Sequence, residues 1–217
     1  MSASLDTANN AASFIIDHHI SENNGDHPAI CFRDKRYSYH DLAALMNRAG
    51  NMMRRLGVIP GDTVLVAVAP SPSLVASVFG AMKIGAVAVL LPSDVSTDAL
   101  NSVVGKHKPK LLIADAGRVS KLHQAGEGDT VVVVGEAGEG HRSFLQEMRE
   151  SASSLAKSTI SNGAAALAVV QAEKLVFVPH QQLTSARSGA PLSIEFDGWN
   201  LGEALTRFAR GEEEIIG

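Results

Sequence analysis

The sequence predicts an α/β fold: a mostly parallel, doubly wound sheet sandwiched by helices, with a small N-terminal β-hairpin in front of it. Short β-branched runs such as TVLVAV (63–68) and TVVVVG (130–135) are typical of strands buried on both faces. Segments with the apolar spacing of helices separate these runs. Because parallel strands need a crossover connection, which is usually a helix, this alternation indicates right-handed strand–helix–strand units.

The first elements form the entry to this domain. Residues 1–12 are small and polar and predict a flexible N-terminal arm, so that residues 13–217 make a single α/β domain. SFIIDHHI, at the start of the domain, has the apolar spacing of a short helix. In AICFRDKRYSYHDL, two apolar or aromatic runs flank a charged turn, which predicts a β-hairpin and then a helix capped near Ser38 or Asp41.

The remaining elements follow in alternation. Apolar residues recur every three or four positions from 41 to 56, which predicts an amphipathic helix that Gly57 ends. After the strand TVLVAV, the predicted elements are helix SPSLVASVFGAMKIG, strand AVAVLLP, helix STDALNSVVGKH, strand KLLIAD, helix RVSKLHQA, strand TVVVVG, helix SFLQEMRESASSLA, strand KLVFVP and helix LGEALTRFAR. Residues 151–163 read as a polar linker, and the acidic GEEEIIG end reads as a solvated terminus.

Composition excludes several classes of function. The net charge is −4 and aromatic residues make up 5% of the chain, so the sequence lacks the clustered positive charge and stacking rings of a nucleic-acid-binding surface. The longest apolar stretch is interrupted by Lys83 and is too short to cross a membrane. No export signal is visible, and the single cysteine, Cys31, cannot form an intramolecular disulfide. A cytoplasmic protein is expected.

Two short motifs are interpreted as structural. Gly135, Gly138 and Gly140 follow a strand, where free amides could cradle a phosphate, but the two intervening glutamates favour a plain surface turn. His18 and His19 are adjacent in a predicted helix, so they make a poor chelating pair and are expected on the surface. No pattern indicates a metal site or an activated nucleophile.

Three segments carry a family resemblance in their order along the chain: NAASFIIDHHI, the stretch from His27 to Pro92, and DTVVVVGEAGEGHRSFLQE. They resemble the N-terminal part of the acyl- and aryl-CoA ligases of the adenylate-forming superfamily, and the benzoate-CoA ligases most closely. Within them, Tyr37, Tyr39 and Leu42 match the family's Tyr-x-Tyr-x-(Asp/Glu)-Leu helix start, Gly57 to Asp62 its Gly-Val-x-Pro-Gly-Asp turn, and Gly85-Ala86 its Gly-Ala strand entry. The resemblance covers residues 10–150 and implies the fold of that subdomain.

The resemblance also implies a nucleotide site in the next segment. In the family, a loop rich in Ser, Thr and Gly ends in Pro-Lys-Gly and leads into a short strand and a His, and the loop holds the ATP phosphates. Placed here without gaps, Lys174 and His180 take the positions of that lysine and histidine, which makes them candidate cofactor-binding residues by position only. The loop becomes ALAVVQAE (166–173), without glycine or hydroxyl. A gapped placement would use STISNG (158–163) instead.

Whether the chain is an enzyme stays open at this point. The family's adenine-pocket motif, acidic ribose-binding residue, hinge and C-terminal lid have no room in a chain ending at Gly217, and no catalytic residue or metal ligand is carried over. The predicted function is that of a truncated, non-catalytic relative without a cofactor, a pseudoenzyme that binds or regulates. The alternative is part of a split ATP-dependent aryl- or acyl-CoA ligase, completed by another chain and needing ATP, magnesium and CoA.

The partner of such a module is also left open. Without a second sheet to pack against, an apolar face of the domain would be exposed, which predicts a homodimer or a complex with a larger ligase-like subunit. A small-molecule sensor would keep a pocket for an aryl or acyl ligand between the sheet and the helices. In either role, residues 166–173 are expected to be packed core.

Overall fold

A computed structural model describes residues 10–123, 130–161, 163–171, 174–185 and 194–216. A π-type helical segment (Ser13–Asp17) runs directly into the first helix, and a single 3₁₀ turn (Ala116–Arg118) precedes the fifth. The helices are α1 (His18–Ser21), α2 (Tyr39–Arg55), α3 (Pro72–Ile84), α4 (Thr97–His107), α5 (Val119–His123), α6 (Phe144–Arg149), α7 (His180–Thr184) and α8 (Leu201–Arg210). The strands are β1 (Pro28–Phe32), β2 (Lys35–Ser38), β3 (Thr63–Ala67), β4 (Val87–Leu90), β5 (Leu111–Asp115), β6 (Thr130–Val134), β7 (Arg142–Ser143), β8 (Ala165–Gln171), β9 (Lys174–Pro179), β10 (Glu195–Phe196), β11 (Trp199–Asn200) and β12 (Glu214–Ile216).

The main sheet confirms the predicted doubly wound architecture. Its seven strands lie in the order β7-β6-β5-β3-β4-β8-β9. Neighbouring strands pair in parallel except β8 and β9, which are antiparallel. A core cluster lies on each side of the sheet: α2, α3 and α8 contribute to one, and α4 and α5 contribute to the other. The central strands β3, β4 and β5 are therefore covered on both faces, as their β-branched composition predicts.

Serine caps determine where the long helices begin. The Ser38 hydroxyl accepts the backbone N–H of Asp41 at 3.2 Å, and the Asp41 carboxylate accepts the backbone N–H of Ser38 at 3.0 Å. This reciprocal capping box fixes the start of α2 after the β1–β2 hairpin, where the sequence predicts it. Ser71 and Ser96 cap α3 and α4 in the same way, each accepting one backbone N–H from the first turn.

Helix α3 is the most enclosed element of the fold. Its side chains from Leu74 to Ile84 are all buried, and it lies against α2 in the larger core cluster. The two helix backbones come very close at Gly50 and Gly80, where a Cβ built on Gly80 would lie 2.8 Å from the Gly50 nitrogen. Although α3 is apolar, it has 13 residues, and no helix in the described part of the chain is long and apolar enough to cross a membrane.

The C-terminal segment corrects one interpretation of the sequence. GEEEIIG reads as a solvated terminus, but β12 pairs in parallel with β1 in a three-stranded sheet of order β12-β1-β2. Glu214 is buried there, its carboxylate accepting a hydrogen bond from Trp199 Nε1 at 2.9 Å and lying 3.3 Å from the Arg207 guanidinium. The acidic pattern misleads because a buried, paired glutamate looks the same in sequence as a solvated one.

The N-terminal boundary also differs from the sequence prediction. Residues 10–12, placed in the flexible arm, are almost completely buried. The side-chain amide of Asn10 donates to the carbonyls of Met82, Lys83 and Ser158, at 3.0–3.3 Å. The packed domain therefore extends at least to residue 10, and residues 1–9 lie outside the described part of the chain.

The predicted helix SFLQEMRESASSLA is helical only over α6, and the polar segment after it lies along α2. Side chains of α2 hold this segment: Asn51 Nδ2 donates to the carbonyls of Ala152 and Ser154 at 2.8 Å each, and Arg48 donates to that of Ser151 at 2.7 Å. These bonds give partners to carbonyls that no helix satisfies. The residues that determine the path of this segment are therefore the polar side chains of α2, and not residues of the segment itself.

Candidate functional site

The segment in which the resemblance implies a phosphate loop is a β-hairpin. Strands β8 and β9 pair antiparallel from Ala165 opposite Pro179 to Gln171 opposite Lys174. Only residues 172 and 173, which lie outside the described residues, connect the two strands. Two residues are the length of a tight hairpin turn, whereas a phosphate cradle needs several successive backbone amides that face the anion.

Strand β8 is part of the core. Residues 166–170 are between 0 and 8% exposed, which confirms the packed-core expectation for these positions. On the side away from β9, the strand pairs in parallel with β4, with Leu167 opposite Ala88 and Val169 opposite Leu90. Because β8 has a partner strand on both sides, its backbone N–H groups are engaged in the sheet ladder and do not face a ligand.

Lys174 begins β9 and is exposed to solvent. Its side chain lines a pocket between α4 and β9, together with Lys106, His107 and Phe177. The pocket has a volume of about 360 Å³. The candidate lysine therefore contributes to a surface site that cannot be recognised in the sequence, because α4 and β9 are about 70 positions apart in the chain. The only signal for it was the short basic run KHKPK (106–110).

His180 begins α7 and is buried, with 2% of its surface exposed. Its Nδ1 accepts the backbone N–H of Ala11 at 3.0 Å, so Nε2 carries the proton of the neutral ring. Nε2 is buried and has no hydrogen-bond partner among the residues that the structure describes. Burial lowers the pKa of His180 to about 4, because it disfavours the charged form, so the ring is neutral at pH 7. The hydrogen bond between Ala11 and His180 joins the N-terminal segment to the end of β9 in the main sheet.

The two candidate residues are not brought together. They flank β9, and six residues of extended strand place their Cα atoms roughly 20 Å apart. Lys174 faces solvent at one end, and His180 is enclosed in the core at the other. Their assignment as cofactor-binding residues stays a prediction, and each has a different structural role.

Two other motifs have structural roles. Gly135 and Gly140 adopt left-handed backbone conformations, with φ of +100° and +82°, in an exposed turn after β6. His19 corrects the expectation of a surface pair: it is 3% exposed, and its Nε2 lies 2.7 Å from the carbonyl oxygen of Phe208. Within the described ranges, no group of three or more His, Cys, Asp or Glu side chains could hold a metal ion.

The doubly wound sheet with its antiparallel edge hairpin is the fold of acyl- and aryl-CoA ligases. An acyl-CoA synthetase from Brucella canis superimposes with a TM-score of 0.82 at 23% identity, covering 95% of this chain and 42% of that one. A benzoate CoA ligase from Burkholderia xenovorans LB400 superimposes with a TM-score of 0.81 at 17% identity, covering 95% of this chain and 45% of that one. At these identities, the likeness shows the fold alone.

Sequence comparison defines the family. The profile of the AMP-binding enzymes matches residues 17–184, and the chain belongs to this family. A 3-hydroxybenzoate–CoA ligase from Aromatoleum sp. (strain CIB) is 38% identical over 122 residues, which cover 56% of this chain and 23% of the relative. A 3-hydroxybenzoate–CoA/4-hydroxybenzoate–CoA ligase from Thauera aromatica is 36% identical over 119 residues, 54% of this chain and 23% of the relative. The matched regions thus span about a quarter of these relatives.

The residues at the implied nucleotide site do not fit a triphosphate. The side chains of β8 at 166–170 are apolar and buried, and its backbone is paired on both sides. The imidazole of His180 is enclosed, and its Nδ1 is already bonded to Ala11. Among the residues of the predicted site whose side chains the structure describes, only Lys174 presents a charged group to solvent, and one ammonium group cannot replace a set of hydroxyl and amide donors.

Proposed function

We propose that this chain is a non-catalytic member of the AMP-binding enzyme family that acts as a binding or regulatory module. The observation that carries the proposal is the β8–β9 hairpin, which leaves two residues where the family relationship implies a phosphate loop. Adenylation requires donors that hold the phosphates and stabilise the transferring group. The fold of this chain can still offer a binding surface, although the β8–β9 hairpin does not supply phosphate-binding donors.

Calorimetric titration with ATP and magnesium tests this proposal. We expect no heat of binding at concentrations up to several millimolar, because the paired strand β8 offers no free donors. The same titration of the 3-hydroxybenzoate–CoA/4-hydroxybenzoate–CoA ligase of Thauera aromatica serves as the reagent control. Micromolar ATP binding that Lys174→Ala abolishes would overturn the proposal, because the lysine would then hold the phosphates despite the hairpin.

A part of a split aryl- or acyl-CoA ligase is the second candidate function. It is favoured by the exposed edge strand β9, where Val176 and Phe177 are each 45% exposed although neighbouring Val178 is buried. Exposed apolar side chains on an edge strand are a surface that a second chain could cover. In this case the partner, a second copy or a larger ligase-like subunit, would have to supply the phosphate-binding groups. A clean monomer in size-exclusion chromatography at high concentration would speak against the second copy.

A further inference from the structure

The pocket between α4 and β9 combines an apolar wall with cationic groups. It lies on the side of the sheet that α4 covers, where Val103 is buried and Leu175 packs against the smaller core cluster. Phe177 and His107 stand next to each other at the pocket, with ring centroids 5.7 Å apart and ring planes tilted by 55°. Phe177 is 45% exposed, so part of its ring is free for a further contact.

Two ammonium groups complete the lining. Lys106 comes from the last turn of α4 and Lys174 from the first residue of β9, and both are exposed. Within the described part of the chain, neither lysine forms an ion pair, in contrast to Lys83, which is buried and pairs with Asp17 at 2.9 Å. Two unpaired cations beside a free aromatic surface create a local preference for an anion that carries a ring.

The size of the pocket limits the ligand. Its volume of about 360 Å³ lies at the lower end of the range of small-molecule sites, roughly 300–1,000 Å³. A single six-membered ring with a carboxylate fits this space, whereas a long acyl chain would extend into solvent. Ring–ring contact in offset or edge-to-face geometry is available on Phe177. A carboxylate can form a charge-assisted hydrogen bond with either ammonium group.

We propose that the α4–β9 pocket binds a monocyclic aromatic carboxylate, with its ring against Phe177 and its carboxylate towards Lys106 and Lys174; this names a ligand for the binding role proposed above and rests on it. The pocket shares Lys174 with the implied nucleotide position but extends beyond it, because Lys106 and the ring contact at Phe177 are not part of that position. The chemistry requires both parts of the ligand. A ring without charge leaves the lysines unpaired, and a carboxylate without a ring leaves Phe177 exposed.

The test uses benzoate and 3-hydroxybenzoate as probes in calorimetric or NMR titrations of the full chain. We expect binding that is about tenfold weaker for the neutral amide benzamide and for the ringless acid acetate, since a tenfold change corresponds to about 1.4 kcal/mol, in the range of one charge-assisted bond. Lys106→Gln, Lys174→Gln and Phe177→Ala should each raise the Kd of benzoate roughly five- to tenfold.

Lys110→Gln is the matched control, because it removes the same charge from an exposed lysine four residues beyond Lys106 that does not line the pocket. We expect a change in Kd of less than twofold for this variant. Circular dichroism confirms that each variant is folded, which is expected because the three mutated side chains are exposed.

Two results would overturn the pocket assignment. One is benzoate binding that none of the three pocket variants weakens, which would place the ligand elsewhere and leave the binding role intact. The other is the absence of any binding of either aromatic acid at several millimolar. The ATP titration decides the proposed function separately: micromolar ATP binding that Lys174→Ala abolishes and Lys106→Gln leaves unchanged would contradict the non-catalytic role whatever the aromatic acids do.

Discussion

Gly80→Ala is expected to destabilise the domain by about 2 kcal/mol, the range of an overpacked core. The new Cβ would lie 2.8 Å from the Ala49 Cβ and 2.8 Å from the backbone nitrogen of Gly50. The second contact is with backbone, which cannot rotate away as a side chain can. Relief therefore requires α2 and α3 to move apart, and both helices are anchored in the larger core cluster. Urea unfolding monitored by circular dichroism measures the effect.

Gly105→Ala is the matched control for this prediction. Gly105 lies inside α4, and a Cβ at this position would meet no atom of the described residues within 4 Å. Alanine is favoured over glycine in an unobstructed helix, so this variant should gain about 0.5–1 kcal/mol. The two substitutions are chemically identical and should shift the unfolding midpoint in opposite directions. If both shifted it upwards, the close approach of α2 and α3 would be refuted.

Local signals in the sequence were sufficient for most of the main sheet. Serine and glycine at the helix ends, and β-branched runs between them, predict α2, α3, α4 and the strands β3 to β6 close to where the structure has them. These features succeed because capping bonds and buried-strand composition depend on neighbours in the sequence. The reason for Gly80 inside α3 cannot be recognised from the sequence. A side chain at this position is excluded by the backbone of Gly50, which is 30 positions away.

Long-range contacts account for the features that the sequence did not reveal. Strand β12 pairs with β1 across more than 180 positions, and Glu214 becomes buried because Trp199 and Arg207 reach its carboxylate. His19 is buried because α8 brings the carbonyl of Phe208 next to it. None of these partners can be recognised from residue type or spacing, since the loop between two paired segments can have any length.

The candidate site likewise combines features that depend on neighbouring residues with features that depend on long-range contacts. The apolar composition of residues 166–170 correctly predicts packed core, which the structure forms as part of β8. An alignment without gaps nevertheless treats 166–173 as a phosphate loop with substituted residues. The pairing of Gln171 with Lys174, together with the parallel pairing of β8 with β4, shows that residues 166–171 form a paired strand and not a loop. The pocket at Lys174 could not be predicted, because it depends on how α4 packs beside the last strand of the sheet.

Between pH 7 and pH 4.5, His180 is expected to lower the free energy of unfolding by about 2 kcal/mol. Its folded-state pKa is about 4, whereas a histidine in the unfolded chain titrates near 6.5. Below pH 6.5 the unfolded chain therefore binds a proton that the folded chain refuses, so this contribution to stability falls until the pH reaches about 4 and is constant below it. The physical reason is local: a protonated Nδ1 would face the N–H of Ala11, and Nε2 is buried with no hydrogen-bond partner among the described residues.

His180→Asn separates this residue from the other groups that titrate over the same range. The asparagine side-chain oxygen can accept the N–H of Ala11 as Nδ1 does, and it has no proton to gain. We expect the variant to be less stable than the wild type at pH 7, because it fills less of the site. Urea unfolding of both proteins at pH 7 and pH 4.5 should then show a loss about 2 kcal/mol smaller in the variant. Equal losses would mean that His180 protonates freely in the folded chain, and the buried contact that joins the N-terminal segment to the end of β9 would have to be abandoned.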